Sequence, residues 1–254
     1  MNHKGYDDSM VNNRSAFMIT VYPYETLGHA NHGWLDARHH FSFAMYFNPA
    51  RRGFGDLLVI NDDTVASGRG FGTHPHDNME IITYVRKGAI THKDSMGNVG
   101  RTEAGDIQVM SAGTGVFHSE YNLENEDTKL YQIWIEPNQQ NVAPRWEARH
   151  FPKEPVTDQL ILLASGMKEH GNQQAAFIHA DAAIYGGRLK AGNSIAQPIK
   201  HQAYFLASEG ELLVDGKSMK KGDGAEITDL ATVTIQAITD AEVLVIDVPD
   251  STQH

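Results

Sequence analysis

The stretch that decides the fold reads Gly68-Arg69-Gly70-Phe71-Gly72-Thr73-His74-Pro75-His76-Asp77-Asn78-Met79-Glu80. Two histidines two positions apart follow a glycine-rich entry, and a carboxylate comes four residues after the second one. Alternate residues of an extended strand share a face, so His74, His76 and Glu80 are expected to point the same way. The next residues, 81–85, are rich in β-branched and aromatic side chains, which predicts a strand.

A second pair of potential ligands, His118 and Glu120, repeats the two-residue spacing farther along the chain. Glycines precede this pair, and the strand-like run 130–135 follows it. Two strands paired in one barrel are expected to bring four side chains to a single point: His74, His76, His118 and Glu120. Three nitrogens and one oxygen suit a divalent metal such as iron, copper, nickel, manganese or zinc.

Composition excludes several classes of protein. The chain of 254 residues has no cysteine, which excludes disulfides, iron–sulfur clusters and a cysteine nucleophile. Its formal charge of −11, without a basic stripe, argues against nucleic acid and anionic membranes as partners. The first residues lack the features of a secretion signal, and no apolar run reaches the roughly 18 residues of a spanning helix. We therefore expect a cytoplasmic location.

Short strand-like runs separated by turn residues predict an all-β protein built from barrels or sandwiches. The segment from Pro137 to Pro155 differs, because it is polar and holds four of the nine prolines. We predict a flexible tail at 1–14, a metal-binding N-terminal barrel domain at 15–137, a linker or crossover at 138–158, and a C-terminal barrel domain without ligands at 159–254.

An internal repeat links the two halves of the chain. Aligning Gly210 with Gly88, and Gly222 with Gly105, superposes their turn patterns. In this alignment, residues that cannot bind a metal stand at the four ligand positions: Ala196, Pro198, Ile235 and Ala237. The repeat predicts one active and one inactive barrel.

The sequence around these motifs resembles the pirin family of bicupins, and more closely its bacterial quercetin dioxygenases. Blocks between about residue 28 and residue 137 carry the resemblance: 39–43, 59–63, 71–76, 79–85, 92–98, 110–122 and 132–137. The resemblance implies two cupin β-barrels with metal in the first one only. It assigns the metal to His74, His76, His118 and Glu120. Glu80, a ligand in many cupins, is then expected beside the ligands rather than on the metal.

The resemblance also implies a function. We expect one divalent metal ion, iron first, with copper, nickel, manganese, cobalt or zinc as alternatives. The expected activity is the cleavage of flavonols such as quercetin with O₂, with no direct contact to nucleic acid or membrane. The alternatives are a redox-sensitive regulatory protein that acts through a protein partner, and a different cupin enzyme.

Flavonol cleavage needs a base for the 3-hydroxyl proton, and we assign this catalytic role to Glu120. Other residues have weaker assignments. His92 is expected either to line the pocket or to lie on the surface, and His39 and His40 are expected to be structural. We expect Phe41, Phe43, Tyr46 and Phe47 to pack in the core, with some of them walling the substrate site.

Overall fold

The structure, a computed structural model, describes residues 18–171 and 173–251, so the predicted tail at 1–14 lies outside it. Two single-turn 3-10 helices, Tyr24–Thr26 and Lys168–His170, interrupt an otherwise β-sheet chain. No helix within the described residues is long and apolar enough to cross a membrane. The predicted all-β architecture with two barrels is confirmed.

The first barrel consists of a seven-stranded and a four-stranded sheet. The larger sheet has the order β12-β9-β6-β11-β4-β3-β2, and the smaller one has the order β5-β10-β7-β8. The strands are β2 (Gly28–Asn31), β3 (Leu35–His39), β4 (Leu57–Val65), β5 (Gly70–His76), β6 (Glu80–Lys87), β7 (Ala89–Asp94), β8 (Val99–Glu103), β9 (Ile107–Ser111), β10 (Val116–Tyr121), β11 (Thr128–Ile135) and β12 (Arg145–Arg149).

The second barrel repeats this arrangement. Its sheets have the orders β1-β20-β17-β22-β15-β13-β14 and β16-β21-β18-β19. Its strands are β1 (Ile19–Tyr22), β13 (Ile161–Ser165), β14 (Ala176–Phe177), β15 (Ala183–Leu189), β16 (Ser194–Pro198), β17 (Gln202–Glu209), β18 (Glu211–Val214), β19 (Lys217–Lys220), β20 (Gly224–Ile227), β21 (Thr232–Ala237) and β22 (Ala241–Val248).

Two edge strands lie where the predicted domain boundaries do not place them. Strand β1 falls within the predicted first domain, but it pairs with β20 of the second barrel. Strand β12 falls within the predicted linker 138–158, but it pairs with β9 and completes the first barrel. A strand's partner depends on contacts distant in sequence, which local composition does not reveal. We therefore propose to divide the domains by sheet membership.

The two large sheets pack against each other, and this explains their apolar strands. In β11, Tyr131, Ile133 and Ile135 contribute to a core shared by both barrels. The alternate residues Gln132 and Trp134 face the interior of the first barrel. One face of the strand is buried and the other is partly buried, so a plain polar–apolar alternation is not required.

A polar network crosses the interface between the barrels. Arg51 Nε donates to the carbonyl oxygen of His40 (3.1 Å), Nη2 donates to the Tyr204 hydroxyl (3.0 Å), and Nη1 pairs with Glu226. The Nδ1 atom of His40 lies 3.0 Å from the same hydroxyl. Burial lowers the pKa of His40 to about 3, and the charge of Arg51 acts in the same direction. His40 is therefore a neutral interface residue, in line with its expected structural role.

The strand register corrects the sequence alignment of the repeat by one residue. Ile235 lies opposite Ile195 in the second barrel, as His118 lies opposite His74 in the first. In β16, Ile195 and Gln197 are buried, and Ala196 and Pro198 are exposed. The predicted counterparts of His74 and His76 are thus wrong, because a one-residue offset moves every side chain to the opposite face. The inward residues are Ile195 and Gln197.

Candidate metal centre

Strands β5 and β10 bring the three predicted histidines together. His118 pairs directly with His74, and Val116 pairs with His76. The ring centroids of the histidines lie 4.5–5.0 Å apart, and one nitrogen from each falls within 4.8 Å of the others. The register shifts between His118 and Glu120, so Glu120 lies opposite Phe71. Such bulges re-aim side chains beside functional sites.

The free nitrogens of this cluster fit a metal. His74 Nδ1 lies 2.7 Å from the carbonyl oxygen of Gly72, which can only accept, so Nδ1 carries the proton and Nε2 keeps its lone pair. His118 Nε2 is buried and has no hydrogen-bond partner among the described residues. Burial, and then the neighbouring histidines, lower the pKa of His118 to about 3 and that of His76 to about 4. Neutral imidazoles are the form that binds a metal.

A chain of polar groups behind His118 fixes its tautomer. His92 Nε2 lies 2.9 Å from the Asp94 carboxylate, and His92 Nδ1 lies 3.5 Å from His118 Nδ1. If His92 donates to the carboxylate, its Nδ1 accepts from His118, and His118 Nε2 is left free. Burial alone would raise the pKa of Asp94, but hydrogen bonds from His92 and Asn98 outweigh it and lower it.

His92 was left undecided by the sequence, and the structure places it inside the barrel. Its side chain is 1% exposed and stacks on Trp146 with a centroid distance of 4.9 Å. The strand pairing puts His92 directly opposite Glu120. The alternation of β7 allows two faces, and only the pairing with β10 selects the inner one.

Glu120 lies in a second group with His92 and His118, in which the ligand atoms also fall within 4.8 Å of one another. It is not a member of the three-histidine cluster. Gln108 Nε2 (2.5 Å), Thr83 Oγ1 (3.2 Å) and Gln132 Nε2 donate to its carboxylate. Burial raises the pKa of Glu120, and these donors and the nearby histidines act against that shift. Its assignment as a metal ligand and base stays a prediction.

The donors to Glu120 belong to a polar row that the sequence did not reveal. The strand pairings align inward-facing polar residues across five neighbouring strands: His39, Asn61, Gln132, Thr83 and Gln108. His39 Nδ1 lies 2.7 Å from Asn61 Oδ1 at one end of this row. The five residues lie far apart in the sequence, so only the strand register shows that they are neighbours.

Glu80 lies outside the histidine cluster. It accepts a hydrogen bond from Ser111 Oγ (2.8 Å) and another from the backbone N–H of His179 in the second barrel. Burial raises the pKa of Glu80 to about 7. None of its hydrogen bonds among the described residues reaches one of the three clustered histidines, so Glu80 is not the hydrogen-bonding neighbour of these residues that the sequence predicts.

His74 and His76 line a cavity of about 400 Å³ inside the first barrel. Its walls are mainly apolar and aromatic, from Trp34, Leu35, Ala37, Phe43, Phe71 and Trp134. Phe43 packs edge-on against Trp134, as predicted for an aromatic residue walling the site. Phe47 is 70% exposed, so its expected place in the core is wrong. His39 also lines the cavity, and its contact with Asn61 agrees with the structural role expected of it.

Comparison with known proteins places the chain in a family. Residues 21–135 match the family model described as Pirin, and residues 162–248 match the model described as Quercetinase C-terminal cupin domain. The chain belongs to the pirin family. The resemblance that the sequence motifs indicated is thereby confirmed over both barrels.

Other pirin-family proteins cover nearly the whole of this chain. A pirin-like protein from Caulobacter vibrioides is 47% identical over 91% of this chain and 99% of its own length. A quercetin 2,3-dioxygenase from Escherichia coli K12 is 42% identical over 91% of this chain and 99% of its own. The crystal structure of the bacterial pirin YhhW from E. coli, in complex with nickel(II), has a TM-score of 0.84 at 40% identity, covering 92% and 100% of the two chains.

Proposed function

We propose that this pirin-family protein is a metal-dependent dioxygenase that cleaves flavonols such as quercetin with O₂. The observation that carries the proposal is the cluster of His74, His76 and His118 at the wall of an aromatic-lined cavity. The quercetin 2,3-dioxygenase name of the E. coli relative, and the nickel in YhhW, support it.

His74, His76 and His118 would hold one divalent metal through one ring nitrogen each, with Glu120 as a fourth ligand. The donor set fits several metals. Iron is our first choice, and nickel, copper, manganese, cobalt and zinc are the alternatives. The bound metal supplies Lewis acidity and, where its oxidation state changes, a path for electrons between the flavonol and O₂.

Glu120 accepts the proton of the flavonol 3-hydroxyl in this proposal. Its carboxylate is held by three neutral donors that do not compete for the proton, which fixes its position without neutralising it. Losing the proton makes the flavonolate electron-rich enough to react with O₂.

The cavity accounts for the rest of the substrate. A volume of about 400 Å³ lies within the range of small-molecule sites, and its aromatic walls suit a flat aromatic ligand. Hydrogen bonds hold two of the imidazoles in place while the ligand binds: His74 bonds to the carbonyl oxygen of Gly72, and His118 bonds to His92. In the second barrel, the inward positions of β16 and β21 that correspond to the clustered histidines hold Ile195, Gln197 and Ile235.

The test combines metal analysis of protein purified without chelator with loss of quercetin absorbance and O₂ uptake. We expect stoichiometric metal and coupled consumption of both substrates, and neither in metal-stripped protein. Metal-loaded protein that consumes neither quercetin nor O₂ would disprove the enzyme proposal. A partner protein that co-purifies with such an inactive sample would instead support the regulatory alternative.

A further inference from the structure

One buried carboxyl group in the cavity has no role in the proposed chemistry. Asp63 lies in β4, is 2% exposed, and lines the same cavity as His74 and His76. Its cross-strand neighbours are apolar, Ala37 on one side and Leu130 on the other. Its Oδ1 atom is buried and has no hydrogen-bond partner among the described residues.

The neighbouring acidic residues differ from Asp63 in this respect. Asp62 forms an ion pair with Arg86, and Glu120 accepts from three donors. A polar group that is buried without a hydrogen-bond partner destabilises the folded protein. A cost of this kind is tolerated at functional sites, where a ligand completes the missing hydrogen bond.

The surroundings of Asp63 favour the protonated form of its carboxyl group. Burial raises the pKa of Asp63 well above its ordinary value, and the nearby charges of Asp62 and Glu120 add to that shift. Arg86 acts in the opposite direction but does not offset it. A neutral carboxylic acid can donate one hydrogen bond and accept others, whereas a carboxylate can only accept.

The position of Asp63 indicates what it meets. It lies two residues beyond Asn61 on the same face of β4, which separates it from the polar row by about 7 Å along the strand. Three residues of that row, Thr83, Gln108 and Gln132, donate to Glu120, the proposed base. Asp63 and Glu120 line the same cavity, so a planar ligand whose reacting oxygen lies at Glu120 can extend towards Asp63.

We propose that Asp63 is a specificity-determining residue whose carboxyl group hydrogen-bonds to a peripheral hydroxyl of the aromatic substrate. The inference rests on the proposed function, since it takes the reacting hydroxyl to lie at Glu120. It narrows the substrate class to planar aromatic compounds that carry a neutral hydroxyl on a second ring. An anionic group at that position is disfavoured, because Asp63 lies in an apolar row beside acidic neighbours.

The test is anaerobic titration of the metal-loaded protein with two probes, quercetin and 3-hydroxyflavone, which lacks every peripheral hydroxyl. We expect quercetin to bind about tenfold more tightly than 3-hydroxyflavone. Asp63→Ala should remove this preference by weakening the binding of quercetin and leaving that of 3-hydroxyflavone unchanged. Asp63→Asn keeps a donor and an acceptor, so it should retain most of the preference. Asp36→Asn is the matched control, since Asp36 lies exposed on the adjacent strand β3. Thermal melting confirms that each variant is folded.

The outcomes separate this inference from the proposed function. Equal binding of both probes by the unaltered protein, or a preference that survives Asp63→Ala, overturns the assignment of Asp63. Binding that depends on Asp63 without turnover under O₂ sustains the assignment and overturns the dioxygenase proposal. Absence of flavonol binding in the metal-loaded protein overturns both.

Discussion

His92 lies directly opposite Glu120 in the pairing of β7 with β10, and its imidazole also approaches His118. One buried side chain therefore touches the surroundings of both a proposed ligand and the proposed base. Its other nitrogen is held by Asp94. This arrangement makes the orientation of His118 depend on His92 and Asp94.

Asp94→Asn is expected to weaken metal binding by about tenfold or more. The amide oxygen stays with the N–H groups of Met96 and Asn98, so the NH2 group faces His92, which then loses its acceptor. Competition against a coloured chelator measures the effect. Asp36→Asn breaks the exposed pair between Asp36 and His29 and serves as the control. Asp94 also accepts hydrogen bonds from the backbone of Met96 and Asn98, so melting curves must accompany the titration. Unchanged affinity in a folded variant would refute the tautomer argument.

Glu120→Gln should leave a folded, metal-binding protein whose turnover of quercetin falls about 100-fold, because an amide cannot accept the proton. Steady-state absorbance assays measure turnover, and elemental analysis separates lost chemistry from lost metal. Glu103→Gln is the matched control, since Glu103 is exposed on the nearby strand β8. Turnover that stays within about threefold of the parent would remove Glu120 from the mechanism.

Glu80 is expected to make the protein less stable as the pH rises from about 4.5 to about 7. Its pKa is about 7 in the folded protein, above the ordinary 4.5, so the folded state binds the proton more tightly. The stabilisation is complete below the ordinary pKa and is lost as the pH passes the folded value. The full effect is about 3 kcal/mol.

Glu80→Gln tests this dependence, because an amide does not titrate. Denaturant midpoints measured across that pH range should fall less steeply in the variant than in the parent. Glu136→Gln is a matched exposed control, which should keep the parent's slope. Parallel slopes in parent and Glu80→Gln would contradict the assignment.

Arg51→Met should destabilise the folded protein by about 3 kcal/mol, since it removes an ion pair and two hydrogen bonds at the interface of the barrels. The stability of Arg51→Lys should lie between that of the parent protein and that of Arg51→Met, because an ammonium group cannot form the paired hydrogen bonds of a guanidinium. The exposed neighbour Arg52 provides the control variant Arg52→Met. Denaturation with urea measures each change, and equal midpoints for both methionine variants would rule out the network.

The sequence reveals the three histidines because their spacing matches the alternation of a strand, and this survives folding. It does not reveal the support of Glu120, because Thr83, Gln108 and Gln132 become neighbours only through strand pairing. The alignment of β16 fails by one residue for a related reason. The alignment is anchored on turn residues, and an error of one residue in the length between turn and strand assigns every side chain of the strand to the wrong face.

Domain boundaries are harder to predict than the site. The segment at 138–158 is rich in proline and reads as a connection, but it contains the edge strand β12. Edge strands are short and make contacts on one side only, so their composition carries little signal. The pairing of β1 with β20 joins positions near opposite ends of the chain, and no local pattern can encode that.

The placement of β1 has a consequence for biosynthesis. Ile19–Tyr22 leaves the ribosome early, yet its partner Gly224–Ile227 is translated near the end. Until that late segment emerges, β1 of the nascent chain has no partner strand. Unpaired strand edges can associate with other chains. The second barrel can therefore close only after Gly224–Ile227 has been synthesised, when this late strand pairs with one of the first strands to be made.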